Sequence, residues 1–358
     1  MREQGARGPG TPAYLVVDAG TSRTRVRWWQ GGVLDEAEAP VGAKDVAREG
    51  TSAPLAAALR EAISTVRARH AVVPDAVVCS GMITSNVGLL EVPHVAAPVS
   101  LARLARHVVR HDLPGVTDLP LYFVAGIKTV AAGGAWDALD GFDLMRGEEA
   151  EVAGLLARGD LRPPVAFFHT GSHHKLIEVG VDDRGPTAGG VGDAGAAGDA
   201  EALGPAVVLR SATALTGELL AALRERTILA SSLTDLDGLA PDPEAVAAGV
   251  RHVRRAGFAR AAFLVRAAQT IGGRDRAEAT SFLLGALAAL DLQLIERELP
   301  PGRELVLYGG GAFPALLAEL LARDGRHPHR VVPRSESEAA ATVGAVRLLR
   351  ARLVAGRS

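Results

Sequence analysis

Short apolar runs alternate with amphipathic stretches along most of the chain. Near the N-terminus, "AYLVVDA" is apolar up to Asp18, "RVRWW" is rich in β-forming residues, and "VLDEAEA" follows a pair of glycines. Such runs, separated by turn residues, predict three strands within residues 14–39. Residues 52–70 carry large apolar side chains at helical spacing and therefore predict a helix.

The same alternation continues towards the C-terminus. Strands are predicted at "DAVVCSG", "LPLYFVAGI", "PPVAFFHT", "HKLIEVGV" and "ELVLYGG". Helices are predicted at "SLARLARHVV", in residues 144–156, 213–227, 243–269 and 276–298, after the glycine run 309–311, and in 336–354. Strands and helices that alternate in two similar halves predict the α/β class.

One strand–turn–strand pattern occurs twice. When Leu15–Trp28 is laid over Ala166–Val179, a constant offset of 151 residues places Asp18 on His169, Gly20 on Gly171, and Thr21 on Ser172. In both copies an apolar strand runs into a turn of glycine and hydroxyl residues, and a second strand follows. We interpret the two copies as a duplication; two unrelated hairpins are the alternative.

Composition narrows the class of protein. The chain has 358 residues, 22% of them charged, and a net charge of −2. It therefore shows no basic footprint for nucleic acid and no polybasic membrane patch. Its single cysteine, Cys79, excludes an internal disulfide framework and a zinc site built on cysteines, which suits a reducing cytoplasm.

Length and local composition predict the domain organisation. We expect two lobes, residues 13–160 and 161–358, with a cleft between them. Residues 1–12 lack the apolar segment of a signal peptide and are expected to be a disordered leader, and the Gly/Ala-rich residues 182–205 a flexible loop. The most apolar stretch, "FLLGALAALDLQLI", is interrupted by Asp291 and is predicted to be a buried helix.

The two glycine turns are suited to phosphate binding. Glycine lets the backbone approach a ligand closely, and successive N–H groups with Ser or Thr hydroxyls form an anion-binding concavity. Two such turns facing each other would hold a polyphosphate from both sides. Asp18 beside the phosphates would then contact Mg²⁺, through water; the alternative is that Asp18 and the hydroxyls only close a hairpin. A Walker motif is absent, and "GVGDAG" is rejected as a dinucleotide site because no strand precedes it.

The motifs "DAGTSRTRVRW", "GSHHK" and "YGGGA" resemble the phosphate-1, phosphate-2 and adenosine segments of the sugar-kinase, actin and Hsp70 superfamily. Together with "SGMITSNVG", "LMRGEEAEVAGLL" and "TALTGELLAAL", they make the chain similar to the 2-dehydro-3-deoxygalactonokinases over nearly its whole length. The resemblance implies a two-lobed actin-like, ribonuclease H-like fold whose last helix returns towards the hinge. It also implies transfer of the ATP γ-phosphoryl group to the 6-hydroxyl of 2-dehydro-3-deoxy-D-galactonate, in galactonate catabolism.

The candidates for the catalytic base are Glu148 and Glu149 of the motif "GEE". On a helical wheel the side chain of Glu148 lies roughly 30° from the centre of the apolar face formed by Val152, Leu155 and Leu156, and that of Glu149 roughly 70°. Glu148 is therefore predicted to point most nearly inward, and Gly147-Glu148 also stands where related sugar kinases carry a catalytic Asp after a glycine. The alternative is that both acids only complement the helix dipole and face water.

The remaining assignments each carry a simpler alternative. To ATP and its phosphates we assign Gly20, Thr21, Ser22, Gly171, Ser172, Lys175, Thr216, Gly217, Gly309, Gly310 and Gly311. To the sugar acid we assign Arg25, Ser85, Asn86, Arg146, Glu149 and His173. The alternatives are an exposed ion pair for Arg25, a helix cap for the Ser85-Asn86 pair, and ordinary helix starts for the segments around 216 and 309.

Other readings stay open at this stage. The superfamily also allows a kinase for another sugar acid or sugar, or a catalytically silent lobe pair that senses a sugar acid or nucleotide. We expect ATP, Mg²⁺ and a small sugar acid as ligands, no nucleic-acid or membrane partner, and a cytoplasmic location; a homodimer is left open.

Overall fold

The computed structural model describes residues 11–131, 133, 136–182 and 203–356. Its contacts divide the chain into two compact units. Unit 1 comprises Met1–Pro164, Glu178–Ser211 and Ser335–Ser358, and unit 2 comprises Val165–Ile177 and Ala212–Arg334. Compared with the predicted lobes, residues 178–211 and 335–358 group with the first unit. Residues 1–10 of the expected leader and 183–202 of the expected loop lie outside the described residues.

The described strands are β1 (Tyr14–Ala19), β2 (Thr24–Trp29), β3 (Val33–Ala39), β4 (Ala76–Gly81), β5 (Val95–Ala96), β6 (Val99–Ser100), β7 (Val109–Arg110), β8 (Leu121–Phe123), β9 (Ile127–Thr129), β10 (Asp143–Met145), β11 (Val165–Thr170), β12 (His174–Val181), β13 (Ala206–Ala214), β14 (Leu305–Gly309) and β15 (His329–Val331). The described α-helices are α1 (Ala43–Glu49), α2 (Ala53–Arg67), α3 (Leu101–Arg106), α4 (Glu148–Leu156), α5 (Thr216–Arg226), α6 (Pro243–Ala256), α7 (Phe258–Thr270), α8 (Arg276–Glu298), α9 (Phe313–Asp324) and α10 (Arg334–Ala355).

A six-stranded sheet in the order β3-β2-β1-β4-β8-β7 forms the centre of unit 1. Strand β1 pairs antiparallel with β2 and parallel with β4, so it is covered by a hydrogen-bonded neighbour on each side. Its run of apolar residues is buried because both faces of a central strand are covered. Helix α2 buries Leu55, Leu59, Ile63 and Val66, the stripe that its sequence period predicted.

The predicted duplication is confirmed by strand positions and strand order. The offset of 151 residues carries β1 onto β11, residue for residue, and β2 onto residues within β12. The second six-stranded sheet has the order β15-β14-β11-β12-β13-β6. Each sheet therefore contains a hairpin whose first strand has a parallel neighbour on its other side, β4 in one and β14 in the other.

Three details differ from the sequence prediction. The helix expected over residues 243–269 is broken into α6 and α7 at Gly257, whose φ of +80° is unfavourable for other residues. Residues 213–214, expected to begin a helix, end strand β13 instead. The three-stranded sheet β10-β9-β5 was not predicted, because strands of two or three residues carry no recognisable period.

Helix α8 forms the core of unit 2. It is the one helix in the described part of the chain long and apolar enough to cross a membrane, and 83% of its most apolar window is buried against other elements. Its leucines and alanines join the hydrophobic cluster with residues of α5, α6, α7 and α9. The prediction of a buried core helix is confirmed.

Helices α4 and α10, both in unit 1, approach each other through glycine and alanine. A Cβ atom built on Gly154 would lie 1.9 Å from the carbonyl oxygen of Ala340. One built on Gly344 would lie 1.8 Å from the carbonyl oxygen of Ala150. The two helix backbones are thus in direct contact at points where no side chain fits. This contact fixes the position of α4 relative to α10.

We expect Gly344→Ala to lower the thermal midpoint by several degrees. In an ordinary helix this change is favourable by up to about 1 kcal/mol. Here the added methyl would meet a backbone oxygen that cannot turn away, at a cost of about 1–3 kcal/mol. Gly115→Ala is the control, because a Cβ on Gly115 meets nothing within 4 Å. A Gly344→Ala protein that melts at or above the wild-type temperature in a scanning fluorimetry experiment would contradict the contact.

Candidate active site

Asp18 lies at the carboxyl end of β1, half-buried. Its strand partners are Arg25 on β2 and Ser80 on β4, and paired residues project to the same face of a sheet. Ser80 is 1% exposed, and its hydroxyl has no hydrogen-bond partner among the described residues. A Cβ on the next residue, Gly81, would lie 3.3 Å from Asp18 Oδ1. Glycine at position 81 thus keeps space open beside the carboxylate.

The first turn of α4 lies against this strand end. A Cβ on Gly147 would lie 3.4 Å from the Cα of Gly81, and Gly147 has a φ of +112°. Glu148 begins the helix directly after it and accepts a hydrogen bond of 3.1 Å from the Arg146 N–H through Oε2. The structure therefore brings the two predicted catalytic carboxylates, those of Asp18 and Glu148, to one place in unit 1.

The charges around Asp18 oppose one another. Burial raises the pKa of the Asp18 carboxyl above its ordinary value. The positive charges of Arg27 and Arg25 act in the opposite direction, whereas the negative charge of Glu148 adds to the rise. A further positive charge close to Asp18 and Glu148 would relieve this repulsion, so the pair is suited to a divalent cation.

The helical wheel predicted that Glu148 points further inward than Glu149, and this prediction is wrong. Glu149 is 1% exposed, whereas Glu148 is half-buried. The wheel counted only the large apolar residues of α4, but the small residues Ala150, Ala153 and Gly154 are also buried. Ala150 and Gly154 contact α10, so the buried side of α4 is wider and turned towards Glu149.

Glu149 holds the turn that begins α4. Both of its carboxyl oxygens lie 2.9 Å from the N–H of Gly147 and accept from it. Burial, with the nearby charge of Glu148 as the second cause, raises the pKa of Glu149 to about 8. The side chain is therefore largely protonated at neutral pH and is closed off from a substrate.

The predicted substrate residues Arg146, Ser85 and Asn86 belong to one loop region. The Arg146 guanidinium donates to Thr84 Oγ1 at 2.8 Å and to the carbonyl oxygen of Val92 at 2.6 Å. Desolvation lowers the pKa of Arg146, and the Glu149 carboxylate, when it is ionised, opposes the change. Ser85 is buried, and its hydroxyl donates to the carbonyl of Met82 at 2.7 Å. Asn86 is exposed.

Two arginines of β2 lie on the face that carries Asp18. Arg25 donates to Glu38 at 2.9 Å, the ion pair that the sequence left as its simpler explanation. Arg27, which sequence reasoning missed, is buried; it donates to Glu36 at 2.6 Å and to Thr342 of α10 at 3.0 Å. The signal for Arg27 was its i, i+2 spacing from Arg25, which puts both on one face of a strand.

The first glycine turn, Gly20 to Ser22, is exposed and is held by its backbone. The Gly20 N–H donates to the carbonyl of Arg23 at 2.9 Å, and the carbonyl of Thr21 accepts from Lys44 at the start of α1 at 2.9 Å. These bonds leave the hydroxyls of Thr21 and Ser22 on the accessible side of the turn.

In unit 2 the predicted nucleotide residues surround a cavity of about 340 Å³. Its wall combines backbone of three glycine-containing segments with apolar and histidine side chains: His169, Thr170, Gly171, His174, Gly217, Leu220, Leu236, Leu284, Gly310, Gly311, Ala312 and Phe313. The segments meet closely, since a Cβ on Gly217 would lie 1.9 Å from the carbonyl oxygen of Gly171. Gly171, Gly217, Gly310 and Gly311 are thus brought together as expected for one binding site.

The other predicted residues of unit 2 lie beside the cavity. Gly309 has a φ of +117°, and a Cβ there would lie 2.2 Å from the carbonyl oxygen of Thr170. Ser172 is exposed, and its carbonyl accepts from the N–H of Glu218 at 2.9 Å. His173 Nε2 lies 3.2 Å from the carboxylate of Glu218. Lys175 is 3% exposed within β12 and is not one of the residues that line the cavity.

A buried polar cluster behind the cavity was also missed. Asp291 of α8 is completely buried, and its Oδ1 accepts from the hydroxyl of Thr216 at 2.6 Å. Its Oδ2 lies 2.7 Å from Nδ1 of His174. The sequence signal was the aspartate that interrupts the most apolar helix of the chain, where a charge needs partners.

Comparison with known proteins supports a kinase. The sequence profile of the 2-keto-3-deoxy-galactonokinase family matches residues 18–185 and 200–348. The chain belongs to this family. No curated protein matches the sequence.

Solved structures agree in fold. The structure of a "putative 2-dehydro-3-deoxygalactonokinase protein from Sinorhizobium meliloti" is 22% identical, with a TM-score of 0.70, and the match covers 94% of this chain and 98% of that one. A xylulose kinase from Lactobacillus acidophilus is 10% identical with a TM-score of 0.46, over 97% of this chain and 90% of that one. This likeness is too distant to support a conclusion about the chain. The predicted actin-like α/β fold is confirmed, and the chain is a sugar-acid kinase by family.

The carboxylates present suit Mg²⁺ better than a metal held by protein alone. No group of three or more His, Cys, Asp or Glu side chains that could hold a metal occurs in the part of the chain that the structure describes. Mg²⁺ characteristically takes one or two carboxylates, with water and substrate phosphates as its other ligands. Asp18, with Glu148 beside it, offers that donor set.

We expect Glu149→Gln to raise stability more at high pH than at low pH. A carboxyl whose pKa is about 8 when folded and near 4.5 when unfolded keeps a proton that the unfolded chain has released. The contribution of Glu149 to the free energy of unfolding therefore falls as the pH rises from about 4.5 to about 8. Glutamine does not titrate, yet it keeps an oxygen that accepts from Gly147.

The measurement is the thermal midpoint of both proteins between pH 5 and pH 8. The variant-minus-wild-type difference is expected to grow steadily over that range. Glu61→Gln, at an exposed position of α2, is the control and is expected to give a difference that does not change with pH. A flat difference for Glu149→Gln would show that this carboxyl is not protonated in the folded protein.

Proposed function

We propose that this protein is an ATP-dependent kinase that phosphorylates the 6-hydroxyl of 2-dehydro-3-deoxy-D-galactonate. The observation that carries the proposal is the pair Asp18 and Glu148, two carboxylates placed together by Gly81 and Gly147 in a chain of this family. Phosphoryl transfer needs a group that accepts the hydroxyl proton and a carboxylate that holds the Mg²⁺ ion neutralising the phosphates. The pair supplies one of each.

Glu148 is the proposed base. It takes the proton of the 6-hydroxyl as the hydroxyl oxygen forms its bond to the γ-phosphorus and the bond from that phosphorus to the ADP oxygen breaks. Glu149 is less suited to the role, because it is 1% exposed and both of its oxygens are engaged with Gly147. A half-buried carboxylate at the first turn of a helix can be reached by an alcohol.

ATP and Mg²⁺ are the proposed cofactors. Mg²⁺ bound with the nucleotide supplies charge neutralisation of the phosphates. Asp18 is the residue that would hold it, through water. In unit 2, Gly171, Gly217, Gly310 and Gly311 offer backbone without side chains to the nucleotide, and the leucines and Phe313 offer an apolar wall.

The sugar acid is recognised, in this proposal, by Arg25, the strand partner of Asp18, and by Asn86. Arg25 is only partly covered by its ion pair with Glu38, so its guanidinium can also meet a carboxylate. Asn86 is exposed and offers both a donor and an acceptor to sugar hydroxyls. Arg146 is engaged with Thr84 and Val92 and instead fixes the loop that carries Asn86.

The substrate is tested by ADP release measured with a panel of acceptors. The panel contains 2-dehydro-3-deoxy-D-galactonate, its C4 epimer 2-dehydro-3-deoxy-D-gluconate, D-galactonate and D-galactose. We expect kcat/KM for the first to exceed that for the epimer by about tenfold or more, because a misplaced hydroxyl leaves a polar group of the site unpaired. A higher kcat/KM for another acceptor would identify a different sugar kinase. ADP binding without turnover of any acceptor would identify a sensor.

The base is tested by Glu148→Gln. The change is expected to lower kcat by about 10²–10⁴-fold, the range typical of a lost general base. The dissociation constant of ADP, measured by calorimetry, is expected to stay within about twofold, because in this proposal Glu148 acts on the acceptor hydroxyl and is not one of the residues that line the nucleotide cavity. Glu61→Gln serves as the matched control with wild-type kcat. Wild-type kcat in the Glu148→Gln protein would refute the assignment. So would a fall in kcat that is matched by an equal fall in ADP affinity.

A further inference from the structure

The buried Asp291 joins the two segments that enter the nucleotide cavity. Thr216 begins α5 and His174 begins β12, and each is bonded to a different oxygen of this one carboxylate. The three residues are 2%, 1% and 0% exposed, for Thr216, His174 and Asp291 respectively. A carboxylate removed from water is tolerated when its oxygens are hydrogen-bonded, and here both are.

Asp291 also sets the orientation of the His174 ring. With Nδ1 facing the carboxylate at 2.7 Å, the proton of a neutral imidazole resides on Nδ1 and the lone pair on Nε2. The ring is held edge-on by Phe313, with centroids 4.7 Å apart, and by Phe168 at 6.1 Å. It therefore cannot exchange its two nitrogens without breaking this packing.

The second nitrogen of His174, Nε2, is left without a partner by the described residues. His174 lines the cavity, and the described residues provide no hydrogen bond to Nε2. Around it the wall is apolar, formed by Leu220, Leu284 and Phe313. A fixed acceptor beside apolar side chains is an arrangement by which small-molecule sites orient a ligand.

We infer that His174 binds the nucleoside part of the nucleotide, with Nε2 accepting a hydrogen bond from a donor group of the nucleoside, and that Asp291 is the residue that positions it. The donor is a ribose hydroxyl or the 6-amino group of the base, since these are the hydrogen-bond donors of adenosine. The phosphates, which carry only acceptors when ionised, do not suit an acceptor nitrogen. This inference rests on the proposed use of ATP.

A purely structural role for the cluster makes a different prediction. If His174 and Asp291 only tie α8 to β12 and α5, their loss weakens the binding of every nucleotide by the same factor. If Nε2 contacts a nucleoside donor, their loss weakens only those nucleotides that carry the donor. Combining protein variants with ligand analogues separates the two roles, as a double-mutant cycle does.

The experiment is calorimetric titration of the full-length protein with ADP, 2′-deoxy-ADP, 3′-deoxy-ADP and inosine 5′-diphosphate. We expect the wild type to bind ADP about 3–10-fold more tightly than one of the three analogues, the size of one net hydrogen bond. The two deoxy compounds report on the ribose hydroxyls, and inosine diphosphate, which lacks the 6-amino group, reports on the base.

The protein side of the cycle uses His174→Leu and Asp291→Asn. His174→Leu is expected to reduce the ADP-to-analogue ratio to less than about twofold, and Asp291→Asn to reduce it in part, because the ring is then less firmly oriented. His111→Leu is the matched control: it makes the same change at an exposed position of unit 1 and is expected to keep the ratio.

Two results would overturn the inference. One is equal affinity of the wild type for ADP and all three analogues, which requires no variant and so stands even if the substitutions prevent folding. The other is a folded His174→Leu protein that keeps the wild-type ratio. A folded wild type that binds no ADP at all would instead overturn the proposed function, and this inference with it.

Discussion

The contact between α4 and α10 is the constraint on which the candidate active site depends. Helix α4 carries Glu148 and Glu149 on its first turn, and its position is set where Ala150 and Gly154 meet Gly344 and Ala340. Because backbone meets backbone there, the contact has no side chain that could adjust. Any displacement of α10 would be transmitted to the distance between Glu148 and Asp18.

The chemistry of unit 1 follows from charges that are held close together at some cost. Asp18 and Glu148 repel each other, and burial penalises the charged forms of Asp18 and Glu149. Arg27 offsets part of this cost and is itself held by Thr342 of α10. The same C-terminal helix therefore sets both the position of α4, which carries Glu148, and the electrostatic surroundings of Asp18.

Much of the architecture could be predicted from the sequence because it repeats. The spacing between Asp18 and His169, with strands on both sides, identified the duplicated core, and the strand orders agree with it. The short strands of the β10-β9-β5 sheet could not be predicted, because two or three residues show no period. The break between α6 and α7 depends on a backbone angle at Gly257 that an apolar pattern does not report.

Some residues of the candidate site could be predicted from the sequence and others could not, for physical reasons. Asp18, Glu148 and the glycines stand in local motifs, so their grouping was accessible to sequence reasoning. The orientation of α4 was not, since it depends on small residues that a wheel of large apolar side chains ignores. The pairing of Asp291 with His174 could not be predicted, because the two residues lie 117 positions apart. The bond from Arg27 to Thr342 of α10 joins residues that are still further apart.

The division of unit 1 into separate stretches of chain has a consequence for the order in which the protein can be completed during synthesis. Helix α4 leaves the ribosome well before its partner, since Arg158 just beyond it and Glu336 at the start of α10 are 178 residues apart and form an ion pair. At translation rates of about 5–20 residues per second, α4 is synthesised on the order of ten seconds or longer before that partner. During this interval unit 2 can form as a separate body, while the backbone contacts of Ala150 and Gly154 with the last helix are not yet available. The first turn of α4 therefore gains its full support only when the C-terminal helix has been made.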